Sequence, residues 1–81
     1  MNNEYILYGI KDSDYFYIIN TDPLLFTGNI SEAKRYTSRI NAMNEVINSF
    51  TINSHIKKHL LDSFYIATIE NNEIIRGIRI L

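Results

Sequence analysis

Residues 64–81 read FYIATIENNEIIRGIRIL, and this stretch decides the fold. Aromatic and β-branched residues fill both of its halves, which is typical of β-strands. Asn71 and Asn72 lie between the halves, and asparagine tolerates the positive φ angles that a two-residue type I′ turn requires. The stretch therefore predicts an antiparallel hairpin with strands at residues 64–70 and 73–81.

The turn fixes the expected register of this hairpin. With a two-residue turn, Ala67 faces Arg76 across the strands and Tyr65 faces Ile78. Both faces of the hairpin then carry more apolar side chains than a simple alternation of buried and exposed positions would give. A sheet of this kind with helices on one face only exposes an apolar patch, and such a patch indicates a partner.

The rest of the chain supplies a second hairpin and the helices between the two. Residues 5–10 and 15–20 have the same strand-like composition and are joined by four polar residues. The remaining predicted segments are a short edge strand at residues 24–26, a helical turn at 30–36, and helices at 39–49 and 54–61. This order predicts an α+β fold, a small antiparallel sheet of two hairpins (ββ-αα-ββ) with helices packed on one face. Residues 1–81 are expected to form one domain.

The first long helix has a candidate core stripe. Thr37 or Ser38 can cap its first turn. Apolar residues follow at helical spacing, and all of them are expected to face the sheet: Ile40, Met43, Val46, Ile47 and Phe50. The next helix, capped by Ser54, is expected to turn Leu60 and Leu61 inward.

Composition excludes several classes of protein. The 81 residues carry eight basic and nine acidic side chains, and a net charge of −1 disfavours both a strongly basic nucleic-acid binder and an acidic DNA mimic. The chain has no cysteine, which excludes disulfides, thiolate metal sites and a cysteine nucleophile. No apolar run approaches the roughly 20 residues that span a bilayer, and the start, Met1 to Glu4, lacks the segments of a signal peptide. These observations predict a cytoplasmic protein without a membrane partner.

No arrangement of side chains in the sequence predicts catalysis. The serines lie in turn or capping contexts, and none is framed by glycines as a nucleophile elbow would require. His55 and His59 are four residues apart, which suits a metal pair on a helix, but Ile56 stands where zinc proteases carry glutamate. A solvated helix face explains the two histidines better. The sequence therefore predicts no enzyme, no metal site and no cofactor.

The tyrosines are the strongest indication of a binding surface. Tyrosine combines apolar area with a polar hydroxyl and is enriched at protein interfaces. Four of the six tyrosines lie in the first hairpin, and they are the candidate partner-binding residues: Tyr5, Tyr8, Tyr15 and Tyr17. Strand alternation places Tyr8 opposite to Tyr5, so at least one of these rings is expected in the core. Packing within a small core is the alternative explanation for the rings.

Basic residues around the start of the first long helix form a second candidate contact: Lys34, Arg35 and Arg39. Cations near a helix start are electrostatically unfavourable, which favours an external acidic partner. Together with Lys57 and Lys58 they could instead bind phosphates, so a small nucleic-acid-binding regulator is the alternative function. Solvated helix faces would also account for these charges.

Residues 28–38, GNISEAKRYTS, resemble a pattern in small phage and prophage proteins of low-GC Gram-positive bacteria. In those proteins a hairpin leads to an alanine-lysine-arginine-aromatic turn, a Thr/Ser cap and a helix with an early alanine. The matching residues here are Ala33, Lys34, Arg35, Tyr36, Ser38 and Ala42. The resemblance implies an accessory phage protein in the host cytoplasm that binds and inhibits a host or defence protein, such as a CRISPR effector. It carries over no catalytic residue.

Self-association is a further expectation. A chain of this size buries only about 60–65% of the surface that its unfolded form exposes, so its stability margin is thin and an oligomer would add to it. Two apolar sheet faces and exposed strand edges offer the surfaces for a homodimer.

Overall fold

The computed structural model describes residues 3–81 and shows an α+β fold. Met1 and Asn2, which belong to the start that predicts no signal peptide, lie outside this range. The elements are β1 (Glu4–Lys11), β2 (Asp14–Thr21), β3 (Leu24–Thr27), a 3₁₀ turn (Ile30–Glu32), α1 (Arg39–Asn48), α2 (Phe50–Lys57), β4 (Ser63–Glu70) and β5 (Glu73–Arg79). The strands form one antiparallel sheet in the order β3-β2-β1-β4-β5. The predicted α+β class and antiparallel hairpins are confirmed.

Both hairpin turns have two residues. Asn71 and Asn72 have φ angles of 52° and 60°, as the type I′ prediction requires. In the first hairpin Asp12 and Ser13 have φ angles of 51° and 71°. The predicted four-residue connection is wrong there, because β1 and β2 stay paired up to Lys11 and Asp14.

A β-bulge shifts the register of the second hairpin. The pairing slips by one residue between Thr68 and Ile69. Ala67 consequently faces Gly77, and Tyr65 faces Arg79, so the predicted partners Arg76 and Ile78 are wrong. The extra residue also reverses the facing of the remaining strand. Ile78 and Ile80 therefore pack against the helix side of the sheet.

The sheet has a hydrophobic cluster on each face. On the helix side the buried residues include Leu7, Ile18, Val46, Ile52 and Phe64. On the opposite face, which we call the open face, they are Ile6, Tyr8, Ala33, Ala67 and Ile69. Among residues 3–81, the 3₁₀ turn and the segment after it cover part of the open face, through Ile30 and Ala33. The helices therefore cover the apolar residues of one face, and the 3₁₀ turn with the segment after it covers part of the other.

The segment after the 3₁₀ turn leads the chain from the open face to the helix side, and its backbone forms hydrogen bonds with the strands on the way. The Lys34 amide donates to the Ile18 carbonyl at 2.9 Å. Two residues later, Tyr36 and Tyr5 exchange backbone hydrogen bonds, each of 2.8 Å. This segment therefore occupies the space where β1 and β2 separate. It satisfies strand backbone groups that would otherwise lose their partners.

Serine residues set the helix starts. Ser38 caps α1, as predicted, and accepts from the Asn41 amide. Ser49 ends α1 and caps α2, because its Oγ accepts from the Ile52 amide at 3.1 Å and donates to the Thr21 carbonyl at 3.3 Å. The predicted helix start at Ser54 is wrong. Ser49 is buried, and these bonds satisfy a hydroxyl that would otherwise be costly there.

The predicted core stripe of α1 is also wrong except at Val46. The helix meets the sheet through Ala42 and Val46, which are four residues apart and fully buried. The other members of the stripe are exposed to fractions of 70% for Ile40, 37% for Met43, 63% for Ile47 and 84% for Phe50. The helix is thus rotated by about a quarter turn from the predicted orientation. No helix within residues 3–81 is long and apolar enough to cross a bilayer.

Candidate functional site

Four tyrosine rings lie together on the open face of the sheet. Tyr8 stacks on Tyr15 with ring centroids 5.1 Å apart and on Tyr65 with centroids 4.9 Å apart. The planes of these pairs differ by only 18° and 4°. Tyr17 is tilted against Tyr8 and Tyr15 at 6.2 and 6.3 Å. We call these four residues the tyrosine ladder.

Strand pairing builds the ladder. Tyr8 of the central strand lies directly opposite Tyr17 of β2 and Tyr65 of β4. Side chains that are opposite each other in neighbouring strands point to the same face. Tyr15 is two residues from Tyr17 and therefore shares that face, diagonally from Tyr8. A hairpin, β1 and β2, and a strand far along the chain, β4, thus place their tyrosines side by side.

The ladder has a rigid centre and an accessible end. Tyr8 is 5% exposed, whereas Tyr15 is 46% exposed. Tyr17 and Tyr65 are half-buried. Since the central ring is fixed between its neighbours, the outer rings lose little side-chain freedom when a partner covers them.

Glycine at position 77 makes room for the central ring. A Cβ atom there would overlap the Tyr8 hydroxyl. Gly77 has no positive φ angle, so backbone conformation does not require glycine at this position. The close approach of the Tyr8 side chain does.

Burial is the main factor that disfavours the ionised form of the Tyr8 side chain. Together with the neighbouring hydroxyls of Tyr15, Tyr65 and Tyr17, it raises the pKa of Tyr8 to about 12. The neutral phenol is therefore favoured in the folded chain. Its contribution to stability is complete below the unfolded pKa of about 10 and is lost as the pH rises towards 12.

We expect the free energy of unfolding to fall between pH 10 and about 12 because of this group. The Tyr8→Phe variant should lose less stability over the same range, since phenylalanine cannot ionise. Tyr36, whose pKa is also raised by burial and by Glu45, leaves part of the fall in the variant. Urea unfolding at several alkaline pH values measures both slopes. Equal slopes in the two proteins would contradict this assignment.

Three carboxylates cluster around the two-residue turn between β1 and β2, next to Tyr15 in the chain. Asp14 precedes Tyr15 in the chain, and Asp12 occupies the adjacent turn. Asp62 accepts from the Asp12 amide at 3.0 Å and from the Lys11 amine at 3.3 Å. The amide and the amine hold the pKa of Asp62 below its usual range. Three carboxylates and one amine give this region, which we call the acidic end, a negative charge at neutral pH.

The structure brings three of the predicted site tyrosines together and separates the fourth. Tyr8, Tyr15 and Tyr17 belong to the ladder. Tyr5 lies on the opposite face, where it packs against the helix-side cluster. It shares that face with Leu7, as the alternation in β1 predicts.

The predicted basic contacts lie apart from the ladder. Lys34 pairs with Glu45 at 2.8 Å on the helix side. Arg35 donates to the Ile30 carbonyl at 3.3 Å and to the Asn72 side chain. Arg39 is the exposed first residue of α1. The three cations therefore contact different parts of the protein.

Lys34 lines a polar groove of about 560 Å³ between α1 and the β2–β3 connection. Tyr36 donates to Glu45 there, and the Lys34 amine lies 5.1 Å from the Tyr36 ring centroid. Burial acts to raise the pKa of Glu45, but hydrogen bonds from Lys34 and Tyr36 hold it below its usual range. These contacts tie the segment that crosses the sheet to α1. The remaining lining residues are Thr21, Asp22, Asn41, Asn44 and Asn48.

The two histidines are not on one helix face. Nδ1 of His55 donates to the Thr51 carbonyl at 2.9 Å, and the ring packs edge-on against Phe26. The helix ends at Lys57, earlier than predicted, and His59 has a φ angle of 58°. Leu60, predicted to face inward, is 53% exposed for the same reason. Over residues 3–81 no three histidine or carboxylate side chains are grouped as metal ligands.

Sequence reasoning missed Tyr65 as a member of the site. Tyr65 lies in the second hairpin, and only the pairing of β1 with β4 brings it to Tyr8. Alternation along β4 predicts which face of the sheet Tyr65 occupies, but it does not predict which residues of other strands lie beside it. No protein-family model, curated protein or solved structure matches this chain, so what it binds has to be inferred from its own surface.

Proposed function

We propose that this protein is a non-enzymatic accessory protein of the phage type that binds and inhibits a host or defence protein, such as a CRISPR effector. The observation that carries the proposal is the tyrosine ladder. Tyr15 presents nearly half of its ring to solvent on top of a ring that is already fixed. Exposed, pre-organised aromatic rings of this kind are typical of the residues that dominate protein interfaces.

Charge favours a protein partner over a nucleic acid at this surface. The acidic end, formed by Asp12, Asp14 and Asp62, lies next to Tyr15 in the chain and disfavours phosphate there, whereas Arg79 lies opposite Tyr65 on the other side of the ladder. The acidic end would attract a basic protein surface instead. Proteins that handle nucleic acids carry such basic surfaces, which agrees with inhibition of a defence enzyme in the host cytoplasm.

A paired capture experiment tests the proposal. The tagged protein and its Tyr15→Ala/Tyr17→Ala variant are used to recover partners from a bacterial lysate, and bound proteins are quantified by mass spectrometry. We expect one partner in near-stoichiometric amount with the original protein. The variant should bind it at least about 30-fold more weakly, because two interface aromatic rings contribute roughly 2 kcal/mol or more. Its melting temperature should change by only a few degrees.

Leu25→Ala is the matched control. Leu25 is 49% exposed, close to the value for Tyr15, but lies in β3 and is not part of the ladder. It should capture the same partner as the original protein does. Loss of the partner with Leu25→Ala as well, or loss only in variants that also unfold, would contradict the proposal.

Titration with DNA and RNA tests the alternative function, that of a small nucleic-acid-binding regulator. At about 50 mM salt even non-specific phosphate contacts are favoured. Binding that persists in Tyr15→Ala/Tyr17→Ala but is lost in Lys57→Ala/Lys58→Ala would identify a nucleic-acid binder and contradict the proposal.

A further inference from the structure

One flank of α1 is an uncovered apolar surface. Three of its members lie on α1 at spacings of three and four residues, and the fourth, Phe50, is the first residue of α2. We call these exposed residues the α1 stripe: Ile40, Met43, Ile47 and Phe50. The three members on α1 extend over about 10 Å of helix. This spacing is that of the seam by which one helix packs on another.

The other described residues leave the stripe exposed. Ala42 and Val46 form the side of α1 that meets the sheet. Asn41, Glu45 and Asn48 form the other flank and line the polar groove. With 3.6 residues per turn, Ile40, Met43 and Ile47 lie on the flank opposite to that groove. The stripe also lies on the helix side of the sheet, away from the tyrosine ladder.

Cations and a crevice border the stripe. Arg39 stands one turn before Met43 on the same flank. At the other end, Lys57 and Lys58 line a crevice of about 530 Å³ together with Phe50. The only acidic residue of α1 and α2 is Glu45, which lies on the opposite flank and is paired with Lys34. The apolar surface therefore has positive charge at both ends.

We propose that the α1 stripe binds an acidic amphipathic helix of a protein partner. Apolar side chains of that helix, spaced three and four residues apart, would pack along the stripe, and one of them would enter the crevice beside Phe50. Its carboxylates would lie near Arg39 and near the Lys57–Lys58 pair. The exposed area of the stripe, on the order of 500 Å² per partner, is below that of a standard interface and corresponds to weak or transient binding.

Charge and shape argue against the other occupants. A second copy would bring the same cations, Arg39, Lys57 and Lys58, and no carboxylate of α1 or α2 other than the paired Glu45. Two copies packed through this surface would therefore place like charges together without opposite charges to balance them. A membrane surface would cover a protruding stripe but would leave the crevice beside Phe50 unfilled, whereas a side chain of a protein partner fits it.

This inference is tested by selecting, from a displayed library of random 16-residue peptides, those that bind the whole protein. We expect the enriched peptides to carry apolar residues at positions i, i+3 or i+4, and i+7, and to be more acidic than the unselected pool. Ile47→Asp should weaken their binding at least tenfold. The new carboxylate lies within the apolar stripe and would repel the acidic side chains of the peptides. Asn48→Asp adds the same charge on the opposite flank and should change binding by no more than about twofold.

Other results would overturn the inference. These are enriched peptides without an acidic excess, or peptides that bind Ile47→Asp as well as the original protein. Peptides that fail to bind Tyr15→Ala but still bind Ile47→Asp would show that the ladder is their binding site. Binding to mixed phosphatidylcholine and phosphatidylglycerol vesicles that Ile47→Asp abolishes would assign the stripe to a membrane. A dimeric mass in light scattering that Ile47→Asp converts to a monomer would assign it to a second copy.

Discussion

Phe64→Ala is expected to destabilise the protein by about 3–5 kcal/mol. Phe64 is fully buried and is the largest side chain without exposure in the helix-side cluster. Its removal leaves a cavity in a core that one layer of short helices covers, and the lost contacts are not replaced by water. A chain of 81 residues has a free energy of unfolding on the order of 4–12 kcal/mol, so the variant loses a large share of it.

Phe50→Ala is the matched control for this prediction. Phe50 is also a phenylalanine of the helix side, but 84% of it is exposed. Its replacement should change stability by no more than about 0.5 kcal/mol. Urea unfolding followed by circular dichroism measures both variants. Similar losses in the two would mean that Phe50 is buried in solution, and the placement of the start of α2 would then be wrong.

Gly77→Ala is expected to cost roughly 1–3 kcal/mol, because the new methyl group overlaps the Tyr8 hydroxyl. The Tyr8 ring cannot move easily, since Tyr15 and Tyr65 hold it from both sides. Gly28→Ala is the comparison: no atom outside the adjacent residues lies within 4 Å of its Cβ position, and its φ is not positive. That change should be neutral or slightly stabilising.

A double variant identifies the cause of the Gly77→Ala loss. After removal of the hydroxyl, the nearest ring atom, Cζ, lies 3.5 Å from the new methyl group, which is an ordinary contact. Tyr8→Phe should therefore recover most of the stability in the Gly77→Ala background. The interaction energy from the four proteins of the cycle measures this recovery. Additive losses would show that the Tyr8 hydroxyl is not what excludes a side chain at position 77.

The candidate site was only partly accessible to sequence reasoning. Alternation along each strand correctly separates Tyr5 from Tyr8 and keeps Tyr15 with Tyr17. Tyr65 joins them through a strand pair whose members are 57 residues apart in the chain. The charges could not be assigned either. Whether Lys34 is free or paired depends on the side chain opposite it, and Glu45 reaches it only after α1 has packed.

Local signals in the sequence determined the strands, the Asn71-Asn72 turn and the start of α1 at Ser38. Each of these depends on a few neighbouring residues: asparagine tolerates positive φ, and serine satisfies the first amides of a helix. The tertiary structure alone decided which side of α1 is buried. Ala42 allows the helix to approach the sheet closely, and that contact turns larger residues such as Ile47 to the surface. The tertiary structure likewise decided the bulge in the second hairpin and the tyrosine ladder. The ladder depends on a contact between distant strands, which no local pattern of residues encodes, whereas the bulge lies within a hairpin whose two-residue turn by itself predicts an unbroken register.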